Sequence, residues 1–334
     1  MNSNQINKWL KENLVCPRDH NKVIQLNKDI LICSLGHKYP VINGIPIMLL
    51  EDEVSTQPAI FNETLKKIKS LQSSFEQANK QSNSYFDSFA IDPFVQEVIA
   101  ATCGLIYKPL INKLSRYPIP RLPLAETKEG HFLDIGCNWG RWCISASRLG
   151  YISVGIDHNL DSIMAAQRVA RQLGVTVYYL VADARYLPFP EDTFDVIFSY
   201  SVLQHFSKND AKICLSEIFR VMKISGFCMV QMANLFGIRN LINQLKRGFK
   251  KPEKFEVRYW SPCELVRTFS TSIGPTFLSI DGFFSLNVQK TDKDLLPFWF
   301  HPVIDFSGLL RRIGKKIKCL QYLADSLYVK AVKQ

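Results

Sequence analysis

The stretch His131-Phe-Leu-Asp-Ile-Gly-Cys-Asn-Trp-Gly-Arg141 decides the fold of this chain. Its first five residues predict a buried strand, and the apolar residues that recur behind it predict a helix. Between the two, Gly136 and Gly140 lack a Cβ atom, so the backbone can approach a ligand closely. The first N–H groups of the following helix suit a carboxylate or a phosphate. The stretch therefore predicts a nucleotide-type binding turn between a strand and a helix.

The chain beyond this turn continues to alternate between strands and helices. This alternation predicts an α/β fold, in which a parallel sheet is covered by helices on both faces. Ligands of such sheets bind beyond the carboxyl ends of the strands, where Asp134, Asp157, Asp183 and the segment 199–205 should converge. The further predicted strands are 151–157, 175–181, 194–198, 226–232, 276–280 and 283–288.

The composition of the turn separates two classes of cofactor. A dinucleotide-binding fold expects Gly-x-Gly-x-x-Gly directly after the first strand, and Cys137 and Asn138 occupy that turn instead. Residues 130–235 resemble the class I S-adenosylmethionine-dependent methyltransferases, because the glycine turn and the acids at the strand ends follow one another in the same order as in that family. The resemblance implies a Rossmann-like seven-stranded sheet with helices on both faces, methyltransferase activity and S-adenosylmethionine as the cofactor. Taken singly, each motif residue would also fit an ordinary strand cap or turn.

The resemblance also implies a role for each motif residue. Asp134, Gly136 and Gly140 would cradle the methionine part of the cofactor, and Asp157 would accept hydrogen bonds from both ribose hydroxyls. Asp183 and the backbone of the next residue would contact the adenine. The cofactor-binding residues expected in this way are Asp134, Gly136, Cys137, Gly140, Asp157, His158, Asp183, Ala184 and Ser199.

Catalysis of methyl transfer needs little beyond alignment of the acceptor atom with the methyl carbon. The acceptor proton must still be removed, and His205, after the fourth predicted strand, is the candidate general base. The alternatives for His205 are that it caps the following helix or hydrogen-bonds the cofactor. Tyr200 and Gln204 are expected to position the acceptor, and the aromatic and cationic side chains of 258–260 are expected to line its pocket.

Residues 13–50 form a small module ahead of this core. Cys16, His20, Cys33 and His37 stand in two short turns joined by a predicted strand pair, and such a donor set suits a structural Zn²⁺ ion. The module resembles the zinc-ribbon family of small methyltransferase activator subunits, including the tail from Tyr39 to Leu49. It departs from that family where Asp19 and Gly36 replace the second and fourth cysteines. Asp19 is therefore an alternative ligand to His20, and a metal-free ribbon is a further alternative.

The remaining segments divide the chain further. Residues 51–129 should supply a linker and lid helices, with Tyr85, Phe86 and Phe89 as either lid or packing residues. The predicted methyltransferase domain, 130–290, carries a basic insertion at 234–254 and is followed by a basic amphipathic extension at 291–334. Basic amphipathic segments of this kind contact membrane surfaces or anionic substrates, or else pack on a core with a solvated basic face.

The composition of the chain indicates its cellular location and the kind of partner it binds. The net charge of +11 favours anionic partners. A polar N-terminus and the absence of long apolar runs predict a cytoplasmic protein, with peripheral contact to the inner face of a membrane as an option. The expected acceptor is a small-molecule, lipid-linked or sugar-containing metabolite, methylated at O, N or C. The alternatives are an RNA methyltransferase that acts on rRNA or tRNA, and an activator subunit, which the intact acidic motif residues disfavour.

Overall fold

A computed structural model of the chain describes residues 7–53, 55, 57–77, 90–127, 129–253, 255–284 and 290–334. Within these ranges, no helix is both long and apolar enough to cross a bilayer. The three aromatic residues predicted to form a lid, Tyr85, Phe86 and Phe89, lie outside the described residues.

The described elements alternate between strands and helices from residue 131 onward. In chain order they are α1 (Lys8–Asn13), β1 (Val23–Asn27), β2 (Ile30–Cys33), β3 (Lys38–Ile42), β4 (Ile45–Met48), α2 (Pro58–Gln77), α3 (Pro93–Cys103), β5 (His131–Ile135), α4 (Arg141–Arg148), β6 (Ile152–Asp157), α5 (Leu160–Gln172), β7 (Tyr178–Ala182), β8 (Phe194–Tyr200), α6 (Lys208–Val221), β9 (Met222–Ala233), α7 (Ile238–Lys246), α8 (Pro262–Ser272), β10 (Thr276–Gly282), α9 (His301–Lys316) and β11 (Ser326–Val332). Short 3-10 helices lie at Leu105–Leu110, Leu203–His205, Lys290–Leu295, Phe298–Phe300 and Lys318–Tyr322.

Seven strands form the Rossmann-like sheet that the sequence predicts. Their order is β7-β6-β5-β8-β9-β11-β10, so β5 lies between β6 and β8 inside the sheet. The first five run parallel, as the helical crossovers between them require, and β11 pairs antiparallel with both β9 and β10. The strand order reverses direction between β5 and β8, which is where such sheets bind ligands.

Helices cover both faces of this sheet. On one face, α3 and α5 share an apolar cluster with Trp139 and Ile144. On the other face, α6 and α8 pack against the buried side chains of β9, including Cys228 and Val230. The predicted two-sided α/β architecture is therefore confirmed.

The sheet is larger than the seven strands predicted. Four strands of the N-terminal module extend it to eleven, because β4 pairs in parallel with β7 through Ile47–Val181 and Met48–Ala182. All four residues of β4 are buried, as expected of a strand covered on both faces. The module therefore closes the β7 edge of the sheet, which would otherwise present unpaired backbone groups.

Side chains ahead of β1 fasten the module to the same core. Trp9 on α1 stacks on Tyr178 of β7 with ring centroids 5.5 Å apart, and the N–H of Val15 donates to the Pro188 carbonyl at 3.0 Å. Leu31 and Tyr39 of the module share one buried cluster with Leu180. The module and the sheet thus have a common hydrophobic core.

The end of the chain also differs from its prediction. The last strand is Ser326–Val332, whereas the sequence pattern placed it at 283–288, of which 285–288 lie outside the described residues. Leu327, Val329 and Ala331 are fully buried between β9 and β10. The segment 291–334 is therefore more than an extension of the domain, because it returns to complete the sheet after the long crossover through α9.

The shared core predicts that damage to β4 weakens the whole chain. Ile47 is 2% exposed, so Ile47→Ala should lower the free energy of unfolding by about 2–5 kcal/mol. Ile24 is exposed on the outer strand β1, so Ile24→Ala should change the free energy of unfolding by no more than about 0.5 kcal/mol. Urea unfolding followed by circular dichroism and tryptophan fluorescence measures both. A separate early transition confined to the module would contradict the shared core.

Candidate active site

A cavity of about 460 Å³ lies beyond the carboxyl ends of β5, β6, β7 and β8. Ser55, Gln57 and Ile60 contribute to it from the start of α2, and Ala101 and Thr102 contribute from α3. Of the residues predicted from the sequence, those that line the cavity are Gly136, Cys137, Asp157, His158, Asp183, Ala184, Tyr200, Gln204 and His205. The strand ends therefore converge as the parallel sheet requires.

Three predicted cofactor residues, Asp134, Gly140 and Ser199, lie behind the wall of the cavity. Ser199 is fully buried, and its hydroxyl donates to the Ile135 carbonyl at 3.0 Å, so it joins β8 to β5. Gly140 has a φ of +80°, and a Cβ there would lie 2.1 Å from the Tyr179 hydroxyl. Both residues support the turn from behind, and neither lines the cavity.

Gly136 is needed for the turn itself. Its φ is +74°, a conformation that favours glycine, and a Cβ would lie 2.3 Å from a methyl group of Val202. The absence of a side chain at Gly136 lets Val202, which also lines the cavity, pack closely against the turn. Any substitution here would both strain the backbone and displace Val202.

The Asp134 carboxylate is an unsatisfied group directly beneath the turn. It is 1% exposed, its Oδ2 accepts from the Cys143 thiol at 3.4 Å, and its Oδ1 has no hydrogen-bond partner within the described part of the chain. Burial raises the pKa of Asp134 to about 7. A buried carboxylate with an unpaired oxygen fits a site that receives a cationic amino group.

Asp157, at the end of β6, holds the unusual Cys137–Asn138 turn. Its Oδ2 accepts from the backbone N–H of Asn138 at 3.0 Å, and its Oδ1 accepts from the N–H of Asn159 at 2.9 Å. Asn138 has a positive φ of 48°, which asparagine tolerates better than most residues. Each carboxylate oxygen keeps a second lone pair, so Asp157 can still accept from a diol in the cavity.

Asp183 has a partner that the sequence reading missed. Arg185 binds its carboxylate with Nη2 at 2.8 Å from Oδ2 and also donates from Nη1 to Asp210 at 3.1 Å. The Arg185 side chain is 7% exposed, so the pair is a buried link between the end of β7 and the start of α6. An arginine two residues after a strand-end acid was the only sequence signal for it.

His205 lies on the cavity wall in a defined orientation. Its Nδ1 lies 2.7 Å from the Phe255 carbonyl oxygen, and its ring stacks on the Phe255 ring at a centroid distance of 3.9 Å. A carbonyl only accepts, so Nδ1 carries the proton and Nε2 of the neutral ring keeps its lone pair. Burial lowers the pKa of His205 below its ordinary value of 6.5. The N-cap of α6 is Ser207, so His205 does not cap that helix.

The other acceptor-side predictions divide into two groups. Tyr200 lines the cavity while its hydroxyl donates to the buried Asp281 carboxylate at 3.0 Å, and Gln204 lines it with a buried Oε1 that has no described partner. Arg258 lies outside the lining and donates to the His205 carbonyl at 2.7 Å, so it fixes the loop that carries the histidine. Neither Tyr259 nor Trp260 lines the cavity; Phe255 of the same segment does.

Arg141 is a second functional candidate without a role in the sequence prediction. It lines the cavity at 8% exposure, with its guanidinium carbon 5.0 Å and 5.5 Å from the ring centroids of Trp142 and Tyr200. Its Nη1 lies 3.0 Å from the Cys103 sulfur, and no carboxylate of the described residues lies within ion-pair distance. A buried guanidinium without an acid partner fits a site that receives an anionic group.

A second cluster lies in the N-terminal module, away from the cavity. Cys16, Asp19, Cys33 and His37 place one donor atom each within 4.8 Å of one another. The His37 Nδ1 lies 3.5 Å and 3.4 Å from the two sulfurs, close to the ~3.5 Å separation of sulfur and nitrogen ligands around tetrahedral Zn²⁺. The cluster is compatible with a zinc-ribbon-like module.

This geometry corrects one predicted ligand. His20 is exposed, has a positive φ of 57° and lies outside the cluster, because the chain turns at this residue after Asp19. Asp19, the alternative considered from the sequence, occupies the fourth position, with its Oδ2 2.8 Å from His37 Nδ1.

Comparison with known proteins gives the class of this domain. Residues 133–230 match the family described as Methyltransferase domain. The ubiquinone biosynthesis O-methyltransferase of Brucella ovis is 30% identical over 174 residues, which cover 49% of this chain and 66% of that protein. The protein of the same name from Bartonella quintana is 26% identical, over 42% of this chain and 59% of that protein. The alignments thus span less than two thirds of the length of these relatives.

A solved S-adenosylmethionine-dependent methyltransferase from Methanosarcina mazei is similar at 18% identity, with a TM-score of 0.46, over 66% of this chain and 99% of its own. The fold and the family match together define a class I methyltransferase domain. The chain carries this domain with the zinc-ribbon-like module joined to its sheet. Methyltransferase domains of this class use S-adenosylmethionine as the methyl donor.

The buried Asp134 predicts a pH dependence of stability. Its pKa is about 7 in the folded chain and 3.8 ordinarily, so the folded state holds a proton that the unfolded state loses across that window. The contribution of Asp134 to stability therefore falls as pH rises from 4 to 7. In the absence of ligand, Asp134→Asn should gain stability relative to the native chain across this window, by roughly 1–4 kcal/mol. Exposed Asp294→Asn should follow the native profile in the same urea titrations. Parallel profiles for Asp134→Asn and the native chain would contradict the raised pKa.

The metal cluster predicts which substitutions remove zinc. Chain purified from zinc-supplemented cells should carry one equivalent by mass spectrometry, and Asp19→Ala or Cys33→Ser should lose it because each removes a donor from the cluster. His20→Ala should keep the metal. Loss of zinc in His20→Ala with retention in Asp19→Ala would restore the original assignment and contradict the geometry.

Proposed function

We propose that the chain is an S-adenosylmethionine-dependent methyltransferase that methylates an oxygen of a small-molecule acceptor. The observation that carries the proposal is the convergence on one cavity of the glycine turn, the ribose-type acid Asp157 and the oriented base His205, within a methyltransferase domain. The relatives named as O-methyltransferases of ubiquinone biosynthesis support oxygen as the acceptor atom and a small molecule as its carrier.

The residues around the turn fit the methyl donor. Asp134, with its unpaired buried oxygen, would hold the cationic amino group of the methionine part, and the free lone pairs of Asp157 would accept from the ribose hydroxyls. Asp183 and Ala184 line the wall where the adenine would lie, beside His158. When bound, S-adenosylmethionine supplies an electrophilic methyl group, and these residues fix its position.

His205 would remove the acceptor proton. Because Nδ1 is committed to the Phe255 carbonyl, the lone pair of Nε2 is the one available to the acceptor hydroxyl. The lowered pKa keeps the ring neutral, and therefore basic, at neutral pH. Arg258 would act through the loop, by holding the His205 carbonyl.

The acceptor would contact three further side chains that line the cavity. The unpaired Gln204 amide oxygen can accept from a hydroxyl, and the Tyr200 ring can pack on an aromatic or apolar part. Arg141 would bind an anionic group such as a carboxylate or phosphate. These three groups favour a small acceptor with polar and apolar parts, which includes lipid-linked and sugar-containing metabolites.

The supporting assignments follow from the same geometry. Zn²⁺ at Cys16, Asp19, Cys33 and His37 would be structural, since the cluster lies apart from the cavity.

RNA is the second candidate acceptor, favoured by the net charge of +11 and by the ribbon. The cytoplasmic location predicted from the sequence stays a prediction.

Labelled methyl transfer tests the activity. With the purified chain and methyl-labelled S-adenosylmethionine, cell extract fractionated into RNA, lipid and small molecules should take up label in an organic-soluble or small-molecule fraction. Label found in RNA would move RNA to first place. No label in any fraction, from a chain that binds the donor, would contradict the proposed acceptor class.

The role of His205 has its own test once a labelled acceptor is in hand. His205→Gln should lower kcat about 10²–10⁴-fold with little change in donor affinity, because only proton removal is lost. In the native chain the acid limb of the rate profile should lie below pH 6.5, since the pKa of His205 is lowered from 6.5. Exposed His20→Gln is the matched control. An unchanged kcat in His205→Gln would remove the residue from the mechanism.

A further inference from the structure

Helices α7 and α9 are packed with their polar or small side chains inward. On α7 the buried residues are Asn240 and Gln244, and on α9 Ser307, Gly308 and Gly314 are buried together with one isoleucine. Amphipathic helices of water-soluble proteins ordinarily bury their apolar stripe. Both helices therefore contact the rest of the chain through few apolar side chains and leave most of their apolar residues exposed.

Specific hydrogen bonds fix the orientation of α7. Asn240 Nδ2 donates to the carbonyls of Asn234 at 2.8 Å and Asp325 at 2.7 Å, and Gln244 Nε2 donates to the Leu235 carbonyl at 2.9 Å. The Asp325 carboxylate accepts from the backbone N–H of Arg239 at 2.7 Å. Rotating the helix to bury its apolar side would break all of these bonds, leaving buried polar groups unpaired.

The outward faces are consequently apolar. On α7 the exposed side chains recur at helical spacing, and Leu245 and nearby Phe249 reach 62% and 63% exposure. Ahead of α9, Phe298 and Trp299 are 76% and 61% exposed. The exposed apolar residues of the two segments are Phe236, Ile238, Leu241, Ile242, Leu245, Phe249, Phe298, Trp299, Val303, Phe306, Leu309, Ile313 and Ile317. We call these residues the α7–α9 surface.

Phe284 contacts both helices. Arg239 of α7 donates to the Phe284 carbonyl at 3.1 Å, and the Phe284 ring stacks with that of Phe306 on α9 at 6.4 Å. Phe236 and Tyr322 approach with ring centroids 6.4 Å apart. Extended apolar patches of this kind on a folded chain mark a site of contact with an apolar partner.

Positive charge borders the α7–α9 surface. Exposed cations of these two segments that have no carboxylate partner in the described ranges include Lys246, Lys250, Lys251, Arg312, Lys315 and Lys316. Two of the neighbouring acids are occupied, since Glu256 pairs with Arg247 and Asp305 pairs with Lys293, and the cations outnumber the other exposed acids there, Glu253 and Asp294. Apolar residues, interfacial aromatics and unneutralised cations together match the surface of an anionic bilayer.

We infer that the α7–α9 surface docks on an anionic lipid bilayer. RNA would be attracted by the cations, but Leu, Ile and Val side chains gain nothing from a phosphate backbone. A bilayer accommodates both features, because the apolar side chains enter the acyl boundary while the cations stay at the headgroups.

The docking surface is connected to the cavity. Downstream of α7, Phe255 lines the cavity and stacks on His205. Upstream of α9, the Asp292 carboxylate accepts from Tyr107 at 2.6 Å, and Leu296 packs in one cluster with cavity-lining Trp139. The segments that leave the docking surface therefore reach the wall of the cavity.

Vesicle co-sedimentation tests the docking. The full chain should bind vesicles of phosphatidylcholine with 30% phosphatidylglycerol and bind pure phosphatidylcholine weakly. The triple substitution Arg312→Gln, Lys315→Gln, Lys316→Gln should weaken binding about tenfold or more, since each cation near a surface contributes about 1 kcal/mol. The matched control is Lys22→Gln, Lys28→Gln, Lys38→Gln, which removes three exposed cations from the ribbon and should bind as the native chain does.

Tryptophan quenching tests which residues enter the bilayer. Trp299 is 61% exposed, whereas Trp139, Trp142 and Trp260 are at most 5% exposed. Brominated acyl chains should therefore quench the native chain, and Trp299→Phe should lose most of the quenching while it still sediments. The apolar control Ile24→Ser, Leu26→Ser should leave quenching unchanged.

Several outcomes would overturn the inference. They are equal binding to neutral and anionic vesicles, equal losses from the ribbon and α9 substitutions, and quenching that survives Trp299→Phe. If the chain binds RNA but not vesicles, and the α9 substitutions abolish that binding, the surface belongs to RNA. If ultracentrifugation shows a dimer and fluorescence shows that Trp299 is buried in it, the surface belongs to a second copy of the chain. None of these assays uses the methyl donor, so their failure leaves the proposed catalytic activity untouched.

Discussion

The paired register of β5 and β6 is the constraint on which the site depends. It sets Ile135 beside Ile156, so the turn after β5 and the acid at the end of β6 meet. The Asp157 carboxylate then accepts the Asn138 N–H at 3.0 Å and holds the turn open above Asp134. A one-residue slip would reverse the faces of β5 and dissolve this arrangement. The cavity, its glycine wall and its buried acid all follow from that register.

The sheet also explains why the flanking segments belong to one unit. The module ahead of α2 covers the β7 edge, and the last seven-residue strand fills the gap between β9 and β10. The crossover into that strand carries α9, and the crossover after β9 carries α7. Both basic helices therefore lie at the β9–β11–β10 end of the sheet, and the segments next to them reach the cavity. Catalytic and docking features share the same connections.

Local patterns predicted much of this architecture, and long-range pairing limited the rest. The strand–turn–helix at residues 131–149 and the acids at strand ends could be predicted because each depends on a few adjacent residues. Ile47 pairs with Val181, although the two residues are far apart in sequence. The strand at 326–332 follows helix α9, and the local sequence pattern there did not predict a strand. Asp19 displaced His20 in the cluster because backbone direction, which spacing does not encode, aims the donors. The sequence assigned no role to Arg141, because the feature that makes it a candidate, a buried guanidinium without an acid partner, can be recognised only in the structure.

The central claim is that the cavity beside Asp157 binds the methyl donor. Isothermal calorimetry with S-adenosylhomocysteine measures this directly and needs no acceptor. The account predicts one site per chain and an affinity at least about tenfold weaker for Asp157→Ala, which loses two hydrogen bonds to the ribose. Exposed Asp294→Ala should bind as the native chain does. A folded native chain that takes up no S-adenosylhomocysteine, or an Asp157→Ala chain that binds it equally well, would contradict the account.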